Sequence, residues 1–419
     1  MGVVVRDALL LFGLTRVALY GTVTFALRWH IITSGPHGRP VPSADSLHGL
    51  ALVWTYWDGH RYLEIAASGY HTTYLLNWLP LYPILVRAVA LGSGALVGGH
   101  PHWLFAALLV SNASMALAVA ALSHRVWHET RSRPATLLAV MTLLVMPLAF
   151  FTAATYSTAV LLACVVMALA AAQAERWWVS ALAVLAAALT HPTGWMLAVP
   201  LVVCYGARHI GWRHRTWARV WWRSTDWQAR ARQVAETTLV VTALPLGLLG
   251  VAVLGATSVA HDPLALPHAQ LVFFGHAAVG PWTLVALVAT NVRQLWGIWP
   301  AEVRLAMDVI PVALAIVFVS VPTRWTRLHP HERAFIASVL VCVTIAPASG
   351  GLFPDTLTSA GRYLLVVAPV VAVSAARNWM AHDWSSSGLA RIGLQSGIGL
   401  LWAMQLGITI LFAAGIWII

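Results

Sequence analysis

Long apolar runs recur from one end of this chain to the other, with few charges between them. Of 419 residues, 59% are apolar and 9% charged. That leaves too little polar surface to cover a soluble fold of this size. The spacing of the runs predicts an all-α, polytopic transmembrane bundle, one integral-membrane domain over residues 1–419. Short alternating segments, the mark of a transmembrane barrel, are absent.

The formal net charge is +11, and every Lys/Arg position is Arg. In a membrane protein, loop arginines set topology and meet anionic lipid, so lipid rather than nucleic acid is the expected partner. Cys164, Cys204 and Cys342 lie in apolar stretches and read as small core residues. The run from Ala8 to Leu27 is long for a signal-peptide core and reads as a retained first span.

Three strongly basic stretches, His124–Arg133, Arg208–Arg232 and Arg324–Arg333, are expected on the inner side. Sixteen arginines then fall in inner segments. An outer loop follows the first span over residues 29–102, an inner basic loop covers 207–235, and a second outer loop covers 256–302. Within the inner loop, Trp217 and Trp221 share one helical face and Arg215, Arg219 and Arg223 another, the pattern of an interfacial helix. Residues 78–97 read as a juxtamembrane or re-entrant element, with Trp78 and Tyr82 at the interface. The count comes to about eleven spans plus outer juxtamembrane helices. Asp45, Asp58, Glu64, Asp262, Glu302, Asp308 and Asp355 collect on the outer side.

The most informative outer stretch runs from Trp57 to Tyr70. Asp58, Tyr62, Ile65 and Ala66 share one face of a short helix that Gly69 can stop. Asp58 is either an N-cap or a general base at a membrane surface.

Trp57-Asp58, Ile65-Ala66 and Gly69-Tyr70, followed by Leu79-Pro80-Leu81-Tyr82-Pro83, resemble the signature of PIG-V-type mannosyltransferases and their bacterial relatives. Thr155-Tyr156-Ser157 on an outer turn, the Thr193-Gly194 break, Gln270, and Arg362-Tyr363 leading to Pro369 continue the resemblance in order. Three positions depart from the family pattern: Thr158 stands where a Glu is usual, His191 where an Arg is usual, and Trp78-Leu79 where Phe-Phe is usual.

The resemblance implies a GT-C-like glycosyltransferase. Such enzymes pass a sugar, most often mannose, from a polyprenyl-phosphate donor to a hydroxyl acceptor with inversion, on the outer face of the membrane. It implies a bacterial plasma-membrane protein whose acceptor is a glycolipid, glycan or protein. No cofactor or metal is expected, and His261, His268 and His276 are too scattered to read as a metal site. Asp58 matches the base. Arg362, His191, His60, Arg61, Tyr363 and Gln270 are candidates for holding donor phosphate or sugar. For Arg362 a snorkelling boundary role stands beside this, for His191 a helix-capping role, and for His60 and Arg61 plain exposure. Glu64 is expected to pair with His60. Asp262 is either a second carboxylate or the start of an Asp-Pro turn. Trp57, Tyr62, Trp78 and Tyr82 are candidate aromatic contacts for sugar or lipid. The alternative is a non-catalytic lipid-binding or flippase-like protein on the same fold.

Overall fold

The computed structural model describes residues 1–97, 102–209, 227–295, 297–299, 301–345, 357, 359–381 and 388–416. The interfacial Trp/Arg pattern over 212–223 and the acid Asp355 lie outside the described residues. What is described is helical: α1 Gly2–Arg28, α2 Leu47–Leu52, α3 Asp58–Ser68, α4 Leu81–Val97, α5 Trp103–Thr130, α6 Arg133–Leu144, α7 Thr158–Gln173 and α8 Trp177–Ala188. There follow α9 Ala198–His209, α10 Trp227–Thr257, α11 Ala265–Phe274, α12 Pro281–Leu295, α13 Ala301–Ser320 and α14 Pro330–Ile345. The last two are α15, Ala360–Ala381, and α16, Gly388–Ala413.

Among the described residues, five helices (α5, α10, α13, α15 and α16) are long and apolar enough to cross a membrane. Their outward faces are apolar too: Leu249 and Val253 on α10 and Leu314 and Val317 on α13 are all more than half exposed. A helix apolar on its outer as well as its inner face belongs in lipid.

Several expected boundaries move. The span read as Trp103–Ser123 continues to Thr130, carrying Arg125 into the protein instead of into a loop. Arg125 is buried there because the buried Glu332 pairs with it. The span read as Ala135–Phe150 stops at Leu144, and a 3-10 turn over Pro147–Thr152 follows. That turn, read as the end of the span and the start of an outer turn at Phe151, is a buried hub. Arg16 of α1 donates to Thr152 Oγ1 (2.6 Å), Tyr20 donates to the Ala153 carbonyl (2.9 Å), and Phe412 of α16 packs on Phe150 and Phe151. The chain is not helical from Leu189 to His191, and Pro192 opens a 3-10 turn before α9, as the Pro-Thr-Gly break requires.

Three helices share a polarity. α5 touches the hub through Ser111, whose Oγ donates to the Tyr156 carbonyl, and reaches a basic cluster at Arg125. α7 leaves the hub at Thr158 and reaches the same cluster at Gln173, which donates to Glu129. α15 starts at Arg362 and ends near Arg377, which pairs with Glu129 and Glu332. Each interval is 14 or 15 residues, so the two polar ends lie roughly 22 Å apart at 1.5 Å per residue. α4 stays at the hub end: Tyr82 donates to the Ala107 carbonyl, and Arg87 donates to the carbonyls of Ala66 and Ala67.

Candidate functional site

α3 enters its helix through Trp57, which holds a positive φ of 61°. Asp58 is therefore the first helical residue and not the cap, and its carboxylate lies in the first turn, where the helix dipole favours negative charge. Gly59 lets α3 close on the hub, because a Cβ there would sit 2.5 Å from Thr155 Oγ1. The contact is stitched by polar bonds. Thr155 donates twice to the Trp54 carbonyl, Tyr156 Oη donates to the Tyr56 carbonyl (2.9 Å), and Tyr62 Oη shares a hydrogen bond with Ser157 Oγ (2.8 Å).

A second glycine serves the opposing residue. A Cβ on Gly361 would lie 2.0 Å from the Met307 carbonyl, so only glycine lets α15 start against α13. The Gly361 N–H donates to the buried Asp308 of α13 (2.9 Å). Asp308, read from sequence among the outer acids, anchors the first turn of α15. Its signal was a carboxylate inside an apolar helix.

So held, Arg362 Nη1 donates to Asp58 Oδ2 at 2.7 Å. The arginine side chain is 10% exposed and the aspartate 21%. The guanidinium carbon lies 5.3–5.6 Å from the ring centres of Phe151, Tyr156 and Tyr363, an aromatic collar that favours a cation. The acid is thus neutralised by the arginine expected to hold phosphate.

His191 caps the 3-10 turn: its Nδ1 accepts from the Thr193 N–H and lies 2.8 Å from Thr193 Oγ1. Burial, and then Arg362, push its pKa down to about 3. At neutral pH it is uncharged and supplies a dipole, not a cation. Its ring lies 4.9 Å from that of Tyr363.

These groups wall a cavity of about 70 Å3. Asp58, Tyr62, Trp78, His191, Gln270, Arg362 and Tyr363 all line it, together with Tyr156, Ser157, Thr158, Phe274 and His276. Trp78 is oriented by Tyr70, whose hydroxyl donates to its carbonyl, and by the rings of Tyr74 and Phe274.

Neither a protein-family model nor a curated protein matches this chain.

Other candidates lie elsewhere. Arg61 pairs with Glu64 (3.0 Å), which also meets His71, so the expected His60–Glu64 pair is replaced by its neighbours. His60 is exposed at the surface of α3. Trp57 packs edge-on against His37. Tyr82 is fully buried and bonds to Ala107 and Ser111, a packing role. Asp262 forms the turn, accepting from the Leu264 N–H (2.8 Å) and pairing with His268 (2.6 Å). Several cavity residues were not site candidates in the sequence: Tyr156, Ser157 and Thr158 entered only through the family resemblance, and Asn77, Thr190, Phe274, His276 and Ser359 did not enter the site at all. For Phe274 and His276 the one hint was their place on the second outer loop.

Proposed function

We propose that this protein is an inverting glycosyltransferase that uses a polyprenyl-phosphate sugar, with mannose the expected sugar, and that Asp58 is its general base. The observation that carries this reading is the Asp58–Arg362 contact. It brings a carboxylate and a guanidinium from distant parts of the sequence into one cavity, the two groups that a base and a phosphate ligand would require. The resemblance of the surrounding motifs to PIG-V-type enzymes supports the same reading, and with it goes the proposal of a GT-C-like arrangement of about eleven spans in a bacterial plasma membrane with the cavity facing outward.

In this mechanism the acceptor hydroxyl oxygen attacks the anomeric carbon, and the bond from that carbon to the phosphate oxygen breaks. Its electron pair leaves on polyprenyl phosphate, and Asp58 takes the hydroxyl proton. Arg362 meets the charge growing on the leaving phosphate. One arginine cannot serve both anions fully, so arriving phosphate draws Arg362 from Asp58 and frees the carboxylate oxygen to take the proton. The pair is a resting state that the donor opens.

A cavity of about 70 Å3 has room for a few waters only, whereas ligand sites run from ~300 Å3 upward. Donor binding therefore needs a wall to move. α11 is the element suited to it: it carries Gln270 and Phe274, and its Phe273 and Phe274 rest on Tyr74 and Trp78 through ring contacts.

The second reading, a non-catalytic lipid-binding or lipid-moving protein, draws on the same closed cavity and neutralised acid. Asp58→Asn separates the two. Under the transferase reading, sugar transfer from polyprenyl-phosphate mannose to acceptor falls ~10²–10⁴-fold while donor binding survives. Transfer at the wild-type rate in that variant overturns the mechanism, and intact lipid translocation without any transfer favours the second reading.

A further inference from the structure

A second cavity, of about 1380 Å3, opens at the opposite end of the bundle. It lies roughly 22 Å from the Asp58 site along α7 and α15. Six arginines line it: Arg125, Arg176, Arg208, Arg324, Arg327 and Arg377. The acids that meet them among the described residues are three glutamates. Glu332 is bound by Arg125 and Arg377, Glu129 by Arg377 and, at 3.7 Å, by Arg125 Nε, and Glu175 by Arg208. Arg324 and Arg327 are exposed at the rim, with no acidic partner among the described residues. The cavity is therefore cationic after its internal pairs are counted.

Two further observations point to a ligand. Arg125 is buried, its side chain 1% exposed, yet its Nη1 has no hydrogen-bond partner among the described residues. A buried guanidinium N–H left without an acceptor is costly, and this one belongs to a residue that lines the cavity. The cavity surface is also mixed: Met167, Val179, Leu328 and Met380 give it an apolar floor beneath the basic rim. Arginine forks match phosphate oxygens in pairs, and an apolar floor suits hydrocarbon.

We propose that this cavity binds a phosphate ester, and that the physiological form is the headgroup of an anionic amphiphile whose tail lies on the apolar floor. The ligand's oxygens complete Arg125 and neutralise Arg324 and Arg327. The site stands whether or not the outer cavity is a transferase.

The test uses the full chain, purified in detergent and in nanodiscs. Native mass spectrometry compares retention of phosphatidylglycerol with that of phosphatidylcholine, and thermal unfolding is followed against added inorganic phosphate. Expected is preferential retention of phosphatidylglycerol, weakened about tenfold or more in Arg324→Gln/Arg327→Gln and largely kept in Arg324→Lys/Arg327→Lys. Both rim residues are exposed, so folding survives these changes. Stabilisation by millimolar inorganic phosphate alone, with no preference between lipids, assigns the site to a soluble phosphate ester and overturns the amphiphile. Equal retention of both lipids with no response to phosphate, or unchanged preference in the glutamine variant, overturns the site altogether.

Discussion

Asp58 and Arg362 are separated by 304 residues in sequence and by 2.7 Å in space. Each sits beside a glycine at a close approach: Gly59 against the Thr155 hydroxyl, and Gly361 against the Met307 carbonyl. The pair is built from both sides, by two local contacts that have nothing to do with charge.

Breaking one side of that pair is expected to cost more than removing both. Arg362→Ala leaves Asp58 facing aromatic rings without a counter-ion. The double variant Arg362→Ala/Asp58→Asn leaves no charge at all. A double-mutant cycle on unfolding in detergent is expected to give a coupling of about 1–3 kcal/mol, the partial exposure of Asp58 keeping it below the value for a fully buried pair. Additive effects would remove the pair from any account of the resting state.

Donor affinity should respond in the opposite sense to rate. If Asp58 and phosphate compete for Arg362, then Asp58→Asn binds a non-transferable polyprenyl-phosphate analogue several-fold more tightly than wild type, and Arg362→Gln binds it about tenfold or more weakly, the loss of a charge-assisted hydrogen bond. Isothermal titration or retention in native mass spectrometry reads both. Weaker binding in Asp58→Asn contradicts the competition.

The two glycines should differ in tolerance. At Gly361 an added methyl meets a backbone carbonyl that cannot leave, so Gly361→Ala is expected to destabilise by about 1–3 kcal/mol or more and to impair any function that needs Arg362 in place. At Gly59 the obstacle is a threonine hydroxyl. Gly59→Ala is accordingly expected to be milder and to be partly rescued by Thr155→Ala, although that change loses the bond to the Trp54 carbonyl. Unfolding temperatures of the three variants decide it.

His191 predicts a pH dependence. Its folded pKa, pushed down to about 3, lies below the ordinary histidine value of about 6.5. As pH falls from about 6.5 toward 3, the unfolded chain takes up a proton that the folded one refuses, so stability declines across that window. The slope from this one group reaches at most about 1.4 kcal/mol per pH unit. His191→Gln, which keeps an acceptor for the Thr193 N–H, is expected to flatten the fall in unfolding temperature between pH 6.5 and 4 relative to wild type. Parallel curves would show that His191 titrates normally.

Residue order and composition alone specified a helical protein with lipid-facing apolar surfaces, because hydrocarbon admits no unsatisfied backbone and long uncharged runs have no other stable form. They also specified the break at Pro192–Gly194, the short helix opening at Asp58 and stopping at Gly69, and seven of the residues that line the outer cavity, Asp58, Tyr62, Trp78, His191, Gln270, Arg362 and Tyr363. Local chemistry was enough for each of these. Packing alone decided the rest. The sequence held no sign that Asp58 is met by Arg362, since a pairing across 304 residues leaves no periodicity to read. Nor did it separate Tyr62 and Trp78, which line the cavity, from Tyr82 and Trp57, which pack elsewhere. Arg125 was read as a loop charge until Glu332 drew it inside. A charged side chain's place depends on where its counter-ion lies, and in a bundle of long helices the counter-ion comes from a distant segment.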